Sequence, residues 1–393
     1  MSDPVIVSAT RTATGKFGGA LMDMPAADIG GRIIFEALAR CNTAAQEVDE
    51  VIMGMVYQGG QGANPARQAA VKAGLPYEVP AMTVNKLCGS GLKAIALATH
   101  AIRCADAQVI VAGGMENMSN TPYVLPKSRW GERLGHGQVQ DLMLLDGLWD
   151  CFYDCHMGIT AENLAAQYSI EREAQDQFAL RSQENYQKAL VAGYFKQEIA
   201  RVEIAQRKGE SVSFEVDEHP RDTSLEKLSE LKPAFKADGS VTAGNASGIN
   251  DGAAAVVIMA EEGARSRGLQ PMAHVRGTAA VGVDPKIMGI GPAPAIRRLL
   301  DKTGMKLDAI ELFEVNEAFA AQTLAVGREL DWDWQRVNVN GGAIALGHAV
   351  GASGTRIAVT LLHEMERRQL RWGIAALCIG GGMGIAALFE RAA

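Results

Sequence analysis

The stretch Val84-Asn85-Lys86-Leu87-Cys88-Gly89-Ser90-Gly91-Leu92-Lys93 places a cysteine between polar residues and a Gly-Ser-Gly turn. Residues 79–85 alternate like a short strand, and the residues after Gly91 have the apolar spacing of a helix. At a strand-to-helix junction the helix dipole and the free N–H groups favour an anion and lower the pKa of a thiol. The pattern predicts a nucleophilic cysteine, with a buried cysteine at a tight turn as the alternative.

Composition and charge restrict the class of protein. The chain has 393 residues, enough for two or three domains with a large core. Its hydrophobic content of 48% and charged content of 21% are typical of a soluble globular protein. The formal net charge is −7 and no run of lysine or arginine occurs, which argues against nucleic acid or a membrane surface as a partner.

The six cysteines are spread along a large chain, which is unlike a disulfide framework and indicates a reducing compartment. Cys151, Cys155 and His156 form a weak zinc motif because no second pair of ligands accompanies them, and no metal is expected. Residues 1–10 lack the features of a signal peptide, and runs such as 374–379 are too short to span a bilayer. A cytoplasmic protein is expected.

The first third of the chain alternates short apolar strands with helices. Strands are predicted at 5–8, 51–56 and 109–112, the last ending at Gly113-Gly114, and helices at 27–40 and 64–73. Continuous apolar strands between helices predict an α/β fold whose sheet is buried on both faces.

The composition changes between about residues 120 and 247. This part contains proline- and glycine-rich turns and then a charged helix at 172–192, whose surface is predicted to be largely solvated or partner-facing. The pattern of a buried strand resumes at 253–259. The segment is therefore predicted to be an insertion that leaves the sheet domain and returns to it.

The final third repeats the first. Residues 307–313 are similar in sequence to 48–53, residues 351–358 to 89–96, and residues 375–381 to 109–114. Two similar α/β halves that pack together would bring equivalent strand-to-helix loops close to each other. A functional site is therefore expected at the interface between the two halves.

Three loops of the second half carry reactive or polar groups. Asn316-Glu317-Ala318-Phe319 follows a predicted strand, and an N-cap is the structural alternative for Asn316. A glycine-rich loop from Asn338 leads to His348, which has a purely structural role as its alternative. Cys378 precedes Gly380-Gly381-Gly382-Met383-Gly384, where a dinucleotide loop is disfavoured because a strand, not a helix, is predicted next.

Together these loops supply the groups for acyl transfer through a thioester on cysteine. His348 would take the proton of the Cys88 thiol, and glycine N–H groups would hold the oxyanion. The second cysteine, Cys378, would serve as acid or base for a carbon-bound proton.

The sequence resembles the thiolases over essentially its whole length, and most of all their acetyl-CoA acetyltransferase branch. The similarity rests on several motifs in the same order. They are residues 85–91, 113–119, 156–158, 242–248, 316–320, 340–354 and 378–384.

The resemblance implies a role for each reactive residue. Cys88 corresponds to the nucleophile that becomes acylated, and His348 to the base that activates it and helps to hold a thioester oxygen. Asn316 corresponds to the residue that positions a water in that oxyanion hole. Cys378 corresponds to the acid/base for the α-proton, and the N–H groups of Cys88 and Gly380 to a second oxyanion hole. No metal or redox cofactor is implied, since coenzyme A thioesters are substrates.

The resemblance also implies a fold and a coenzyme A site. Two similar βαβ-rich halves would stack as a five-layer α-β-α-β-α core with an inserted loop domain. The implied domains are 1–119 with 249–271, the loop domain 120–248, and 272–393. Similar enzymes are usually homotetramers, with tetramer contacts from the loop domain. Positions that match substrate-binding residues are Leu148, His156, Met157, Arg221, Phe235, Ser247, Met288, Ala318 and Phe319.

The implied activity is the condensation of two acetyl-CoA to acetoacetyl-CoA, or the reverse thiolysis, and a 3-ketoacyl-CoA thiolase of broader chain length is the alternative. A ketoacyl synthase would use two histidines with one cysteine, and an acyl-CoA-binding protein would not need the reactive set. The chain departs from the family pattern at Ala349, where proline is usual, at Lys227, often a serine, and in a shortened Arg221 region. These departures concern the histidine loop and the coenzyme A contacts.

Overall fold

The chain begins with a unit in which strands and helices alternate. The structure is a computed structural model and describes residues 2–205 and 210–392. The elements are β1 (Pro4–Thr12), β2 (Gly15–Lys16), α1 (Ala26–Arg40), β3 (Glu50–Gly54), α2 (Pro65–Lys72), β4 (Ala81–Val84), α3 (Ser90–Cys104) and β5 (Val109–Asn117). The predicted strands and helices of this part are confirmed, although β1 and β5 are several residues longer than predicted.

Strand β5 does not end at Gly113-Gly114, which corrects the sequence prediction. Both glycines stay in the ladder and pair with Ala255 and Ala254 of the neighbouring strand. Gly114 is a glycine because backbone from the other half crosses closely over it. A Cβ on Gly114 would lie 2.1 Å from the carbonyl oxygen of Gly351.

The inserted segment lies between β5 and β13 (Asn250–Ala260). It contains β6 (Tyr123–Val124), β7 (Gln140–Asp141), β8 (Trp149–Asp150), β9 (Cys155–His156), α4 (Met157–Gln167), α5 (Arg172–Val191), β10 (Ile199–Ala200), β11 (Val202–Ile204), β12 (Val212–Phe214) and α6 (Leu225–Ser229). Helix α5 is not the largely solvated helix that was predicted. Its buried side includes Phe178, Ser182 and Tyr186, because that face packs on the second half of the chain.

The second half repeats the order of the first. After α7 (Glu261–Ser266) it contains β14 (Ala273–Gly282), α8 (Pro292–Thr303), β15 (Leu312–Val315), α9 (Ala320–Leu330), α10 (Ala343–Leu346), α11 (Val350–Arg368), β16 (Trp372–Ile379) and β17 (Met383–Arg391). The strands follow the order β15-β16-β17-β14-β1-β13-β5-β3-β4. The two halves meet in this path at a short antiparallel contact between β14 and β1.

The layers match the predicted five-layer α/β core. Helices α1 and α2 pack on the outer face of the first set of strands. Helices α3 and α11 lie between the two sets and contact both of them. Helices α8 and α9 cover the outer face of the second set. The burial of apolar side chains on both faces explains why the strands read as continuous apolar runs.

Helices α3 and α11 approach each other almost backbone to backbone at their first turns. A Cβ on Gly91 would lie 2.7 Å from the backbone nitrogen of Thr355, and a Cβ on Gly354 would lie 2.3 Å from that of Leu92. Larger residues would push the helices apart. The contact sets the separation of the loops that precede the two helices, and these loops carry Cys88 and His348.

A buried ion pair attaches the inserted segment to β1. The Arg11 guanidinium donates to Glu198 at 2.7 Å and to Asp217 at 2.7 Å, and all three residues are buried. Removing one partner of such a group costs about 3–5 kcal/mol because a buried charge is left unpaired. The insertion is therefore anchored to the core at its far end, beyond α5.

The proposed domain boundaries, 1–119 with 249–271, 120–248, and 272–393, stay a prediction. Within residues 2–205 and 210–392, none of the helices has the length and apolar character needed to cross a membrane.

Candidate active site

Cys88 lies in a tight loop between β4 and α3. Leu87 has a left-handed backbone with φ of 45°, which Asn85 stabilises by accepting a 2.9 Å hydrogen bond from the Leu87 N–H. The Ser90 hydroxyl accepts from the Lys86 N–H and donates to the Leu87 carbonyl. Such strain in a non-glycine residue is typical of functional sites, because the surrounding contacts must hold it in place.

Gly380 brings a second N–H group to the Cys88 sulfur. The backbone N–H groups of Gly380 and of Cys88 itself both donate to the thiol. Gly380 follows β16, and the chain reverses through Gly381 and Gly382, whose φ values are 73° and 79°. A Cβ on Gly380 would lie 2.8 Å from the methyl carbon of Met157. Two N–H donors thus point at the sulfur, where they could also stabilise an oxygen of an acyl group attached to it.

The thiol is not activated in the way that the sequence suggested. Burial raises the pKa of Cys88 to about 11, although the two N–H groups lower it. Desolvation of the thiolate outweighs the helix N-terminus, because the half-buried Cys88 lies in the wall of a mostly apolar cavity. Cys88 is therefore a thiol at neutral pH, and a nucleophilic role would require a base to take its proton.

His348 is held as the neutral tautomer that can act as that base. Its Nδ1 lies 2.6 Å from the Ser353 hydroxyl, which itself donates to the Ala349 carbonyl. Since the hydroxyl has one proton, it must accept from Nδ1, so the lone pair is on Nε2. Burial, and then the charge of Arg356, lower the pKa of His348 to about 4.

The loop before His348 is fixed from the other half of the chain. Asn250 accepts a 2.9 Å hydrogen bond from the His348 N–H and donates to the Gly15 carbonyl. Gly347 has a φ of 93°, and a Cβ there would lie 2.6 Å from the Asn250 amide. The glycine is required both by its conformation and by this close approach.

Asn316 contacts the histidine and is not an N-cap. Helix α9 begins at Ala320 with Phe319 in the N-cap position, so the capping alternative is wrong. The Asn316 Nδ2 lies 3.5 Å from the His348 Nε2, at the limit of a hydrogen bond. Its Oδ1 is buried and has no partner among the described groups.

Cys378 is buried at the end of β16. It packs against Met157, Met288, Ala318 and Phe319. Burial raises the pKa of this thiol, and the charge of a nearby Cys88 thiolate raises it further. The two cysteines are thus close enough to influence each other, and both are thiols in the resting protein.

Two buried carboxylates hold the loops together. Glu116 accepts hydrogen bonds from the N–H groups of Val56 and Gly351 at 2.9 and 2.8 Å, and burial raises its pKa to about 7. Glu317 accepts from Ser182 of α5 and from the Ile344 N–H. The first carboxylate joins the two halves, and the second joins the histidine loop to the insertion.

A cavity of about 590 Å³ lies beside these loops. Cys88, Gly380 and His348 line it, whereas the fully buried Cys378 and Asn316 are not among its lining residues. All nine predicted substrate-binding residues also line it, namely Leu148, His156, Met157, Arg221, Phe235, Ser247, Met288, Ala318 and Phe319. Sequence reasoning did not single out other lining residues, among them Lys16, Phe17, Met118, Glu218, His219 and Val350.

One wall of the cavity is aromatic. The rings of His156 and Phe235 stack with centroids 4.6 Å apart, and Phe235 meets Phe319 edge to face. The His156 Nδ1 accepts from the Gly158 N–H at 3.0 Å, and burial lowers the pKa of His156. A Cβ on Gly158 would lie 2.2 Å from the Phe235 ring, so glycine permits the stack.

The three residues of the weak zinc motif, Cys151, Cys155 and His156, do not come together as a set of metal ligands in the described structure. Within the described parts of the chain, the histidine, cysteine or acidic side chains close enough to share an ion are Asp3, Glu261 and His274, not Cys151, Cys155 or His156. The aromatic stacking of His156 gives it a place in the cavity wall instead.

The departures from the family pattern lie at the edge of the site. The Arg221 side chain donates to the Ala243 carbonyl at 2.8 Å, and burial lowers its pKa. Lys227 lies on α6 and is exposed. The Ala349 carbonyl accepts a hydrogen bond from the Ser353 hydroxyl. The histidine loop therefore keeps this hydrogen bond although proline is absent.

Two family models match the chain, Thiolase, N-terminal domain, over residues 4–262, and Thiolase, C-terminal domain, over residues 269–391. The chain belongs to the thiolase family. Among its relatives are an acetyl-CoA acetyltransferase of Pseudomonas aeruginosa, 58% identical over 392 residues, and one of Cupriavidus necator, 56% identical over 392 residues. In both cases the match covers 100% of each chain.

The acetyl-CoA acetyltransferase of Bacillus anthracis is a structural relative of this thiolase. It has a TM-score of 0.98 and 49% sequence identity, and the match covers 100% of this chain and 99% of that one. The thiolase-like α/β fold that the resemblance implied is therefore confirmed.

The raised pKa of Cys88 leads to a test by alkylation. Because iodoacetamide reacts with the thiolate, the rate at Cys88 should rise about tenfold per pH unit through the neutral range and bend only near pH 11. Peptide mass spectrometry would measure the extent of alkylation at Cys88 over time, with alkylation of the exposed Cys104 as an internal reference. A rate that levels off near neutral pH would contradict the raised pKa, because it would mean that the helix N-terminus lowers the pKa of Cys88 more than burial raises it.

Proposed function

We propose that this thiolase is an acetyl-CoA acetyltransferase, which condenses two acetyl-CoA to acetoacetyl-CoA and CoA and also catalyses the reverse thiolysis. The observation that carries the proposal is the convergence of Cys88, Gly380 and His348 on one cavity. The names of the full-length relatives support the same activity.

The first half-reaction transfers an acetyl group to Cys88. The His348 Nε2 takes the thiol proton while the sulfur attacks the thioester carbonyl carbon. The N–H groups of Cys88 and Gly380, which already donate to the sulfur, stabilise the oxygen as it becomes negative. When the tetrahedral intermediate collapses, the CoA thiolate leaves and takes the proton of Cys378, whose raised pKa keeps it protonated until then.

The second half-reaction forms the carbon–carbon bond. The Cys378 thiolate removes an α-proton from a second acetyl-CoA, and the enolate carbon attacks the acetyl group on Cys88. The His348 imidazolium and a water held by the unpartnered Oδ1 of Asn316 stabilise the enolate oxygen. The Cys88 thiolate leaves and recovers its proton from His348, so every proton is accounted for and the enzyme is regenerated.

The residues on the cavity wall suit an acyl-CoA. Leu148, His156, Met157, Phe235 and Ser247 would contact the pantetheine arm, and Arg221 would lie towards the nucleotide end. At the acyl end, Met288, Ala318 and Phe319 are buried against Cys378, which favours a short acyl group. The 3-ketoacyl-CoA thiolase of broader chain length is the second candidate, since it would use the same reactive groups.

The proposed reaction uses acid–base and covalent chemistry, so we propose that it needs neither a metal nor a redox cofactor. Unchanged turnover after dialysis against a chelator is the expected result. The six cysteines are free, which supports a reducing, cytoplasmic location, and cell fractionation can test this.

A homotetramer is proposed on the basis of exposed apolar side chains in the insertion. Trp130 is 87% exposed, Leu134 98% and Phe152 68%, and subunit contacts made by the insertion would remove such side chains from water. Light scattering should give four times the chain mass of 41.8 kDa, and a monomer in solution would contradict the assignment.

Thiolysis of a series from acetoacetyl-CoA to 3-ketodecanoyl-CoA tests the activity and its chain length. We expect the highest kcat/KM on acetoacetyl-CoA, and a loss of about three orders of magnitude or more in Cys88→Ala because the covalent route is removed. Cys104→Ala, an exposed cysteine at the end of α3, is the matched control. Wild-type turnover in Cys88→Ala would rule out the nucleophile, and preference for the long substrates would favour the second candidate.

A further inference from the structure

Asn338 lies at the edge of the sheet in the second half of the chain and has no part in the chemistry proposed above. Strand β15 is an end strand of the sheet, and the chain after α9 runs along its outer edge, where Val337 forms a parallel bridge with Phe313. The Asn338 N–H donates to the Phe313 carbonyl at 3.0 Å, and the residue is only 1% exposed. Asn338 thus lies beside the strand that ends just before Asn316.

The Asn338 side chain takes the place of a neighbouring strand at Val315, the residue before Asn316. Its Oδ1 accepts from the Val315 N–H at 2.7 Å, and its Nδ2 donates to the Val315 carbonyl at 2.8 Å. An adjacent strand would supply the same kind of bonds to this edge. Because an unpaired buried backbone group costs free energy, the amide fixes the end of β15.

The same amide reaches the residue after Asn316. Its Nδ2 donates a further hydrogen bond to the Glu317 Oε1 at 2.8 Å, so both of its protons are used. The other carboxylate oxygen of Glu317 accepts from the Ser182 hydroxyl and from the Ile344 N–H. Asn338 therefore binds the residues on both sides of Asn316 and leaves the Asn316 side chain itself free to face the site.

Asn316 depends on these neighbours for its orientation. Its N–H donates to the Ala376 carbonyl of β16 at 3.0 Å. Among the described residues, its side chain has a single hydrogen-bond contact, the 3.5 Å approach of Nδ2 to the His348 Nε2. A contact of that length is too weak to fix the side chain. The direction in which Asn316 points is therefore set by the backbone at residues 315–317.

The backbone at Asn338 is shaped to present the amide to this edge. Its φ is 48°, in the left-handed region that asparagine adopts more readily than most other residues. Its carbonyl accepts from the Gly341 N–H at 3.1 Å, and Gly341 has a φ of 82°. The tight turn thus places the side chain against β15 and then carries the chain into the loop of His348.

We propose that Asn338 is a positioning residue for the second half-reaction, because it sets the orientation of Asn316 relative to His348 by holding the residues on either side of Asn316. The inference rests on the proposed function, in which Asn316 takes part in the second half-reaction. The acetylation of Cys88 proceeds without Asn316, since its base and its N–H donors are other groups. Asn338 should therefore matter for one half-reaction and not for the other.

Two substitutions suit the left-handed backbone at this position. Asn338→Gly removes all three side-chain bonds without backbone strain. Asn338→Asp keeps an acceptor for the Val315 N–H, but it loses the donor to the Val315 carbonyl and places a second carboxylate beside Glu317. Asn185→Ala is the matched control, because Asn185 donates to the Asn338 carbonyl at 3.3 Å and takes no part in the three side-chain bonds.

Two rates measured on the same protein test the proposal. Rapid quenching and mass spectrometry give the rate and the amplitude of Cys88 acetylation by acetyl-CoA, and the amplitude counts the folded sites. The formation of acetoacetyl-CoA at saturating acetyl-CoA, per acetylated site, follows the second half-reaction. We expect both Asn338 variants to lower this second rate about 10- to 100-fold, the effect of a small misplacement, and to keep acetylation within about threefold of wild type. Asn185→Ala should leave both rates near wild type.

An unchanged rate of acetoacetyl-CoA formation in the Asn338 variants would overturn the inference. Equal losses in the two rates would overturn it as well, because they indicate a general loosening of the histidine loop. The same selective loss in Asn185→Ala would also contradict it, since any disturbance of the turn would then suffice. Failure of the proposed function itself gives a different result, because wild-type protein would then neither acetylate Cys88 nor form acetoacetyl-CoA.

Discussion

The close contact between α3 and α11 is the constraint on which the site depends. Gly91 and Gly354 let the two helices meet backbone to backbone, and each helix begins two residues after a reactive side chain, Cys88 or His348. The two similar halves of the chain thereby deliver one reactive residue each to the same cavity. Glu116 strengthens the arrangement, since its buried carboxylate holds loops of both halves.

Burial sets the protonation states in this site. It raises the pKa of Cys88 to about 11 and lowers that of His348 to about 4, so the resting pair is a neutral thiol and a neutral imidazole. In the proposed reaction, charge separates only when the sulfur attacks, where Gly380 and Cys88 offer N–H groups. A Cys88 side chain that was already ionised in the resting protein would react faster with oxidants and alkylating agents than the thiol does.

Much of this architecture could be predicted from the sequence, because the reactive residues occupy local patterns. Cys88 and His348 each stand before a glycine-rich helix start, and the internal repeat predicted that these starts meet. The thiol pKa could not be predicted, because a local pattern does not reveal how completely the fold encloses a sulfur. His219 was missed for a related reason: it lies in an irregular part of the insertion, and only the folded chain brings it to the cavity wall.

The most direct test of this account is the detection of the acyl-enzyme. Protein mixed with acetyl-CoA and quenched in acid should carry one acetyl group, on the peptide that contains Cys88, when it is analysed by mass spectrometry. His348→Asn should form this species much more slowly, because the neutral thiol loses its base. An acetyl group on another residue, or acetylation of Cys88 at the wild-type rate in His348→Asn, would contradict the account.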